Sequence, residues 1–130
     1  IEADLKRRDT VQMVADGVEH CRLFGPHVFA VEGNAWQELL APEFITQAAR
    51  QRVMMPVVTL ENTVNKQVRI RRLGPYLAQR RIRFKAASPG TTMLVQQLRD
   101  FPVADFDDGP DGTEMALRVI CEAVQAMREE

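Results

Sequence analysis

Four carboxylates stand where this sequence could do chemistry: Glu32, directly after an apolar run, and Asp107, Asp108 and Asp111, ahead of a long helical pattern. Residues 27–31 (HVFAV) read as a buried strand, which puts Glu32 at its carboxyl end. In open α/β sheets ligands collect outside the carboxyl ends of the strands, so an acid there can face a site. Carboxylate oxygens gathered from two such places suit hard divalent cations. Two cations about 3.5–4 Å apart activate a water and stabilise the leaving oxygen of a phosphodiester. Each acid also has a plainer role. A Glu after a strand is commonly a solvated turn residue, and an Asp pair before a helix commonly caps it and complements its dipole.

Other chemistries are poorly supplied. The two histidines, His20 and His27, have no metal-ligand or triad-like company, and read as a helix-surface and a strand-entry residue. No phosphate-binding glycine loop, nucleophile elbow or dinucleotide fingerprint is present. The acidic loop fails as an EF-hand. With Asp105 and Asp107 at positions 1 and 3, position 5 is Gly109, position 6 is Pro110 and position 12 is Ala116, so the required Gly and the bidentate Glu are missing. The nucleophile is expected to be a metal-bound water.

Charge is distributed in blocks although the net charge is only −1. From Asn62 to Arg99 there is no acid, while Lys66, Arg69, Arg71, Arg72, Arg80, Arg81, Arg83, Lys85 and Arg99 are basic. Asp100, Asp105, Asp107, Asp108, Asp111 and Glu114 follow at once. The basic block suits a phosphate backbone and the acidic one suits cations. Tyr76 and Phe84 alone interleave aromatics with the basic block, so a stacking platform for single strands is not indicated.

The elements that must hold these residues alternate. A strand end is expected over residues 1–5, and a helix over 10–23 with Asp9 as its cap and Gly25-Pro26 as its stop. Val11, Val14, Val18 and Cys21 should form the buried face of that helix. After the HVFAV strand, Asn34 is expected to cap a helix through Trp36, Leu39 and Leu40. Pro42 should break or kink it before it resumes to about Arg52. Further strands are expected at 56–60 (PVVTL) and 82–85 (IRFK), and helices at 65–73, 92–99 and 113–128. The last helix should bury Met115, Val119, Ile120, Ala123, Val124 and Met127. Cys21 and Cys121 lack metal-type spacing and read as buried free thiols in a reducing compartment. At 130 residues, 45% hydrophobic and 27% charged, the chain fits one globular domain, residues 1–130, of α/β class. No apolar run approaches the roughly 20 residues of a membrane span. Nothing at the start reads as a signal peptide, and a chain opening on Ile1 reads as a processed product or an excised piece.

Three segments in order carry a family resemblance: VEGNAWQELL (31–40), NKQVRIRRLGPYLAQRRIRF (65–84) and LVQQLRDFPVADFDDGPDGTEMAL (94–117). Together they resemble the C-terminal nuclease domain of phage large terminase subunits. That family's aspartate motif commonly reads His-Asp-Asp-x-x-Asp-Ala; the stretch here is Phe106-Asp107-Asp108-Gly109-Pro110-Asp111-Gly112. The resemblance implies an RNase H-like mixed sheet flanked by helices. It also implies Mg²⁺- or Mn²⁺-dependent cleavage of concatemeric viral DNA during packaging, in the cytoplasm of a bacterial host. Glu32 then matches the second catalytic acid and Asp107 and Asp108 the third acidic site, with Asp108 first choice and Asp111 an outer helper. Asn34 would orient Glu32 or touch substrate, and Lys66, Arg69, Arg71, Arg72, Arg80 and Arg81 would contact the backbone of double-stranded DNA. The implied partners are the small terminase subunit, the portal and the ATPase domain. Phe106 replaces the family's usual His. The family's first catalytic Asp, on the first strand, has no counterpart, because residues 1–31 fit the stretch after that strand and Asp4 and Asp9 fall in the wrong element. The domain is therefore expected to be N-terminally truncated, with unpaired strand edges and little or no cleavage on its own. The alternatives are another RNase H-like nuclease, such as a transposase or junction resolvase, and a non-catalytic DNA-binding or assembly module.

Overall fold

Side-chain caps set the start of three helices, through Asp9, Asn65 and Ser88. In the computed structural model, which describes residues 1–103 and 105–130 (and not the side chains of Glu38 and Leu39), the Asp9 carboxylate accepts the backbone N–H of Gln12 at 2.8 Å. Helix α1 (Thr10–Phe24) starts there and ends at Gly25, whose left-handed φ of 51° lets its N–H close onto Cys21 O. The packing expected of Leu39 lies outside the described residues. Val14, Val18 and Cys21 are buried as expected, whereas Val11 is 79% exposed.

The chain divides into two compact units, Arg7–Asn62 and Ile1–Lys6 with Thr63–Glu130. In the first, β1 (Phe29–Glu32) pairs in parallel with β2 (Val57–Leu60), Phe29 opposite Val57 and Glu32 opposite Leu60. Parallel strands need a long crossover, and here it is helical. It comprises α2 (Gly33–Ala35), a π-helical stretch (Trp36–Leu40) and α3 (Ala41–Gln51). The helix changes form just ahead of Pro42, where a break or kink is expected, and resumes at Ala41. The wider turn ahead of it places Pro42 in the first turn of α3, where a missing N–H costs no hydrogen bond. Asn34 does not cap this helix either; it lies inside α2, exposed, and Glu32 holds the cap position without a side-chain hydrogen bond.

Val14, Val18, Leu40, Phe44 and Ala48 form the core of this unit, with Phe29, Val31 and Trp36 packed on it. Phe44 is the hub: its ring meets Phe29 edge-on with centroids 5.8 Å apart and stacks on Trp36 at 5.5 Å. Gly17 makes room for it, since a Cβ there would stand 2.6 Å from the Phe44 ring. One face of the sheet is thus covered by α1 and α3. On the other, Ala30, Glu32 and Val58 are exposed.

The second unit is helical: α4 (Lys66–Arg71), α5 (Gly74–Ala78), α6 (Pro89–Asp100) and α7 (Asp108–Glu129). Helices α4 and α6 both pack on α7, and Ile70, Leu73 and Leu94 are buried. The strands expected at 1–5 and 82–85 are corrected. These segments join through two backbone bonds, Ile1 N to Arg83 O at 2.5 Å and Lys85 N to Ile1 O at 2.7 Å, and through the Lys85–Glu2 ion pair at 3.0 Å, without forming a ladder. The pairing stops there because Ala3 N turns to the Thr91 hydroxyl at 3.0 Å instead. Among the described residues the sheet therefore has two strands and belongs to a mixed, mostly helical α/β structure.

Two further corrections concern α7. It begins at Asp108, within the span expected to be a loop that includes the cis Phe101–Pro102 bond. Its C-terminal half is exposed: Ile120 is 59% accessible and Met127 74%, and Cys121 is exposed rather than buried. Among the described residues, no helix is long and apolar enough to cross a membrane.

Phe44 is 2% exposed, so Phe44→Ala should remove about 3–5 kcal/mol of stability. Urea unfolding followed by circular dichroism checks this; a loss under about 1 kcal/mol would mean the ring is not the hub of the core.

Candidate functional site

Asn65 fixes one wall of the site. Its side-chain oxygen accepts the N–H groups of Gln67 and Val68, which starts α4 at Lys66 and puts Lys66 and Arg69 on one helical face. Helix α7 supplies the other wall. Its first free N–H groups are few, because Pro110 has none and Gly109 N donates to the Gln97 side chain at 3.0 Å. The first intrahelical bond, Asp111 N to Asp107 O, follows at 3.0 Å. Asp107, Asp111 and Glu114 then fall at spacings of four and three, on one face.

Between these walls three cations face four carboxylates. Lys66 Nζ lies 2.8 Å from Asp107 Oδ1, 3.1 Å from Asp108 Oδ1 and 3.7 Å from Asp111 Oδ2. The Arg69 guanidinium donates to Asp111 Oδ1 at 2.7 Å, to Glu114 Oε2 at 3.0 Å and, through Nε, to Val64 O at 3.0 Å. Arg118 reaches the same Glu114 oxygen at 3.2 Å. Arg69 and Glu114 are buried, at 4% and 3% exposure. Burial by itself would lower the pKa of each base. The hydrogen bonds that Lys66 donates to Asp107 and Asp108, and Arg69 to Asp111 and Glu114, outweigh it and hold both bases above their ordinary values.

The structure therefore gathers Asp107, Asp108 and Asp111 but gathers them around Lys66. Their oxygens are of the kind Mg²⁺ and Mn²⁺ prefer. As arranged, however, an ammonium group holds the cation position, and no three metal-ligating side chains cluster among the described residues. Asp108 and Asp111 sit in the first turn of α7, where their charge also complements the helix dipole. Arg69, expected at a phosphate, is committed to carboxylates inside the unit. Arg71, Arg72, Arg80 and Arg81 are exposed and join no ion pair among the described residues; Arg81 lies over the Tyr76 ring at 5.2 Å.

Glu32 belongs to the Arg7–Asn62 unit, and the three aspartates belong to the other. Its side chain is exposed at the carboxyl end of β1. Glu61, directly after β2, was not singled out from the sequence. Its carboxylate lies so close to Gly33 that any side chain at that position would collide with it. Two acids thus follow the carboxyl ends of two adjacent parallel strands. Glu114 was also passed over as a site residue, although Glu114 and Arg118 at a spacing of four signal a helical ion pair. Comparison with protein-family models, with curated proteins and with solved structures found no match.

Replacing Arg69 by Met leaves Glu114 buried with Arg118 as its remaining cation. The expected loss is about 3 kcal/mol, toward the low end for breaking a buried ion pair. Arg69→Lys should recover little of it, because a point charge cannot reach two carboxylates and the Val64 carbonyl together. Full rescue by Lys in chemical denaturation would mean that charge alone matters. Lys66 behaves as a base whose folded-state pKa is raised above 10.5. Its contribution to stability should be complete below that pH and fade as pH rises through the folded value. A Lys66→Met variant lacking this alkaline loss would bear that out; an identical alkaline profile would contradict it.

Proposed function

We propose that the chain is a DNA-cleaving domain of the phage large-terminase nuclease type, RNase H-like in fold and dependent on Mg²⁺ or Mn²⁺. The observation that carries this reading is the convergence of Asp107, Asp108 and Asp111 on a single cation within 3.7 Å. Three carboxylates that close together demand a positive charge. The βαβ topology with Glu32 at a strand's carboxyl end supports it as well. A bound metal would supply the activated water and stabilise the leaving oxygen. As they stand, the residues fit an ammonium group, so metal binding requires Lys66 to leave the carboxylates. The exposed Arg71, Arg72, Arg80 and Arg81 would hold the phosphate backbone of double-stranded DNA, while Arg69 maintains the acidic wall.

The neutralisation of the aspartates by Lys66 favours a second reading, a DNA-binding or assembly module without catalysis. Mn²⁺ titration by calorimetry, paired with nicking of supercoiled plasmid, separates the two. The nuclease reading expects saturable Mn²⁺ binding, at least about tenfold weaker in Asp108→Ala and stronger in Lys66→Met, with at most weak nicking by the chain alone. The module reading expects no Mn²⁺ binding in any variant. DNA affinity would then be metal-independent, with a salt slope falling by about 0.9 for each of the four arginines removed.

A further inference from the structure

The C-terminal half of α7 carries an apolar stripe that its own unit does not cover. Leu117, Ile120, Val124 and Met127 recur at spacings of three, four and three, the pattern of a helix–helix seam. Ile120, Val124 and Met127 are 59%, 43% and 74% exposed. Helices of this kind draw most of their stability from packing an amphipathic face, and here that face is open. Leu117, Ile120 and Val124 line a groove of about 890 Å³ together with Ile1, Tyr76 and Ile82. Among the described residues, every charged side chain lining it is an arginine: Arg81, Arg83 and Arg128.

We propose that this groove docks an acidic amphipathic helix of a partner protein, its apolar ridge on the α7 stripe and its carboxylates on the arginine rim. The spacing of the stripe selects a helix, which presents apolar residues at the same three-and-four interval. The rim selects the charge of that helix. A nucleic acid would satisfy the rim but leave Ile120 and Val124 facing a polar ligand. A second copy offering the same face would bring arginines against arginines, which is repulsive.

The probe is a synthetic helix with leucines at three-and-four spacing and glutamates between them, read by fluorescence anisotropy against the full chain. Saturable binding that weakens with salt is expected. It should be at least about tenfold weaker with Ile120→Asn and with Arg128→Glu, the loss of a central anchor and of a rim charge. Both positions are exposed, so circular dichroism should show both variants folded. The proposal is overturned if the acidic helix does not bind, or if a lysine-for-glutamate version binds equally well. Equal affinity in both variants also overturns it. So does sedimentation showing a dimer that Ile120→Asn converts to monomer, because the occupant is then a second copy.

Discussion

The helical unit depends on one buried guanidinium. Arg69, on a helix of six residues, reaches two carboxylates of α7 and a backbone carbonyl of its own approach segment. A helix that short has little stability of its own. What holds α4 in place is Ile70 and Leu73 beneath it and the ion pairs across to α7. A buried ion pair seldom adds net stability over an apolar substitute, since desolvation offsets most of the attraction. Its effect is on geometry. The planar fork of the guanidinium fits Asp111 and Glu114 only when α4 and α7 hold one register. That register also delivers Lys66 to Asp107 and Asp108. The acidic wall and its counter-charge are thus consequences of where Arg69 is anchored.

The sheet-bearing unit rests on a different constraint. A two-stranded sheet is marginal by itself, and parallel pairing needs cover. Here α1 and α3 cover one face through Phe44, while the outer edge of each strand is unpaired among the described residues. The exposed Ala30 and Val58 on the remaining face are what parallel strands normally bury. The unit carries Glu32 and Glu61 at the carboxyl ends of its two strands, beside Leu60, which is buried.

What could be read from the sequence was what is local. Asp9, Gly25 and Asn65 act on neighbours within four residues, and the helix boundaries they set follow the caps. The strand that ends at Glu32 and its partner at PVVTL were legible as short apolar runs. The start of α7 was hidden because its cap comes from Gln97, on another helix, and because Gly109-Pro110 reads as a turn until that partner is known. The IRFK segment has strand alternation but, among the described residues, its backbone pairs with Ile1 alone, so it joins no sheet. At the site, Asp107, Asp108 and Asp111 were visible as types and positions, and Glu114 was not. That Lys66 and Arg69 answer them was not, since those partners lie 42 and 45 residues away in sequence.

A basic block followed by an acidic block was read as two surfaces for two ligands, phosphate and metal. The fold folds the first block partly back onto the second. Lys66 and Arg69, the first two cations of the block, are consumed by Asp107, Asp108, Asp111 and Glu114. The arginines beyond them face solvent. Such partition follows from electrostatics: uncompensated, the carboxylates at the start of α7 would repel one another. The dipole of α7 offsets a fraction of a charge, far less than four carboxylates require. A full cation has to stand among them. Lys66, on a flexible stem and 37% exposed, is the less constrained member of the pair. Arg69 is buried and held at three points.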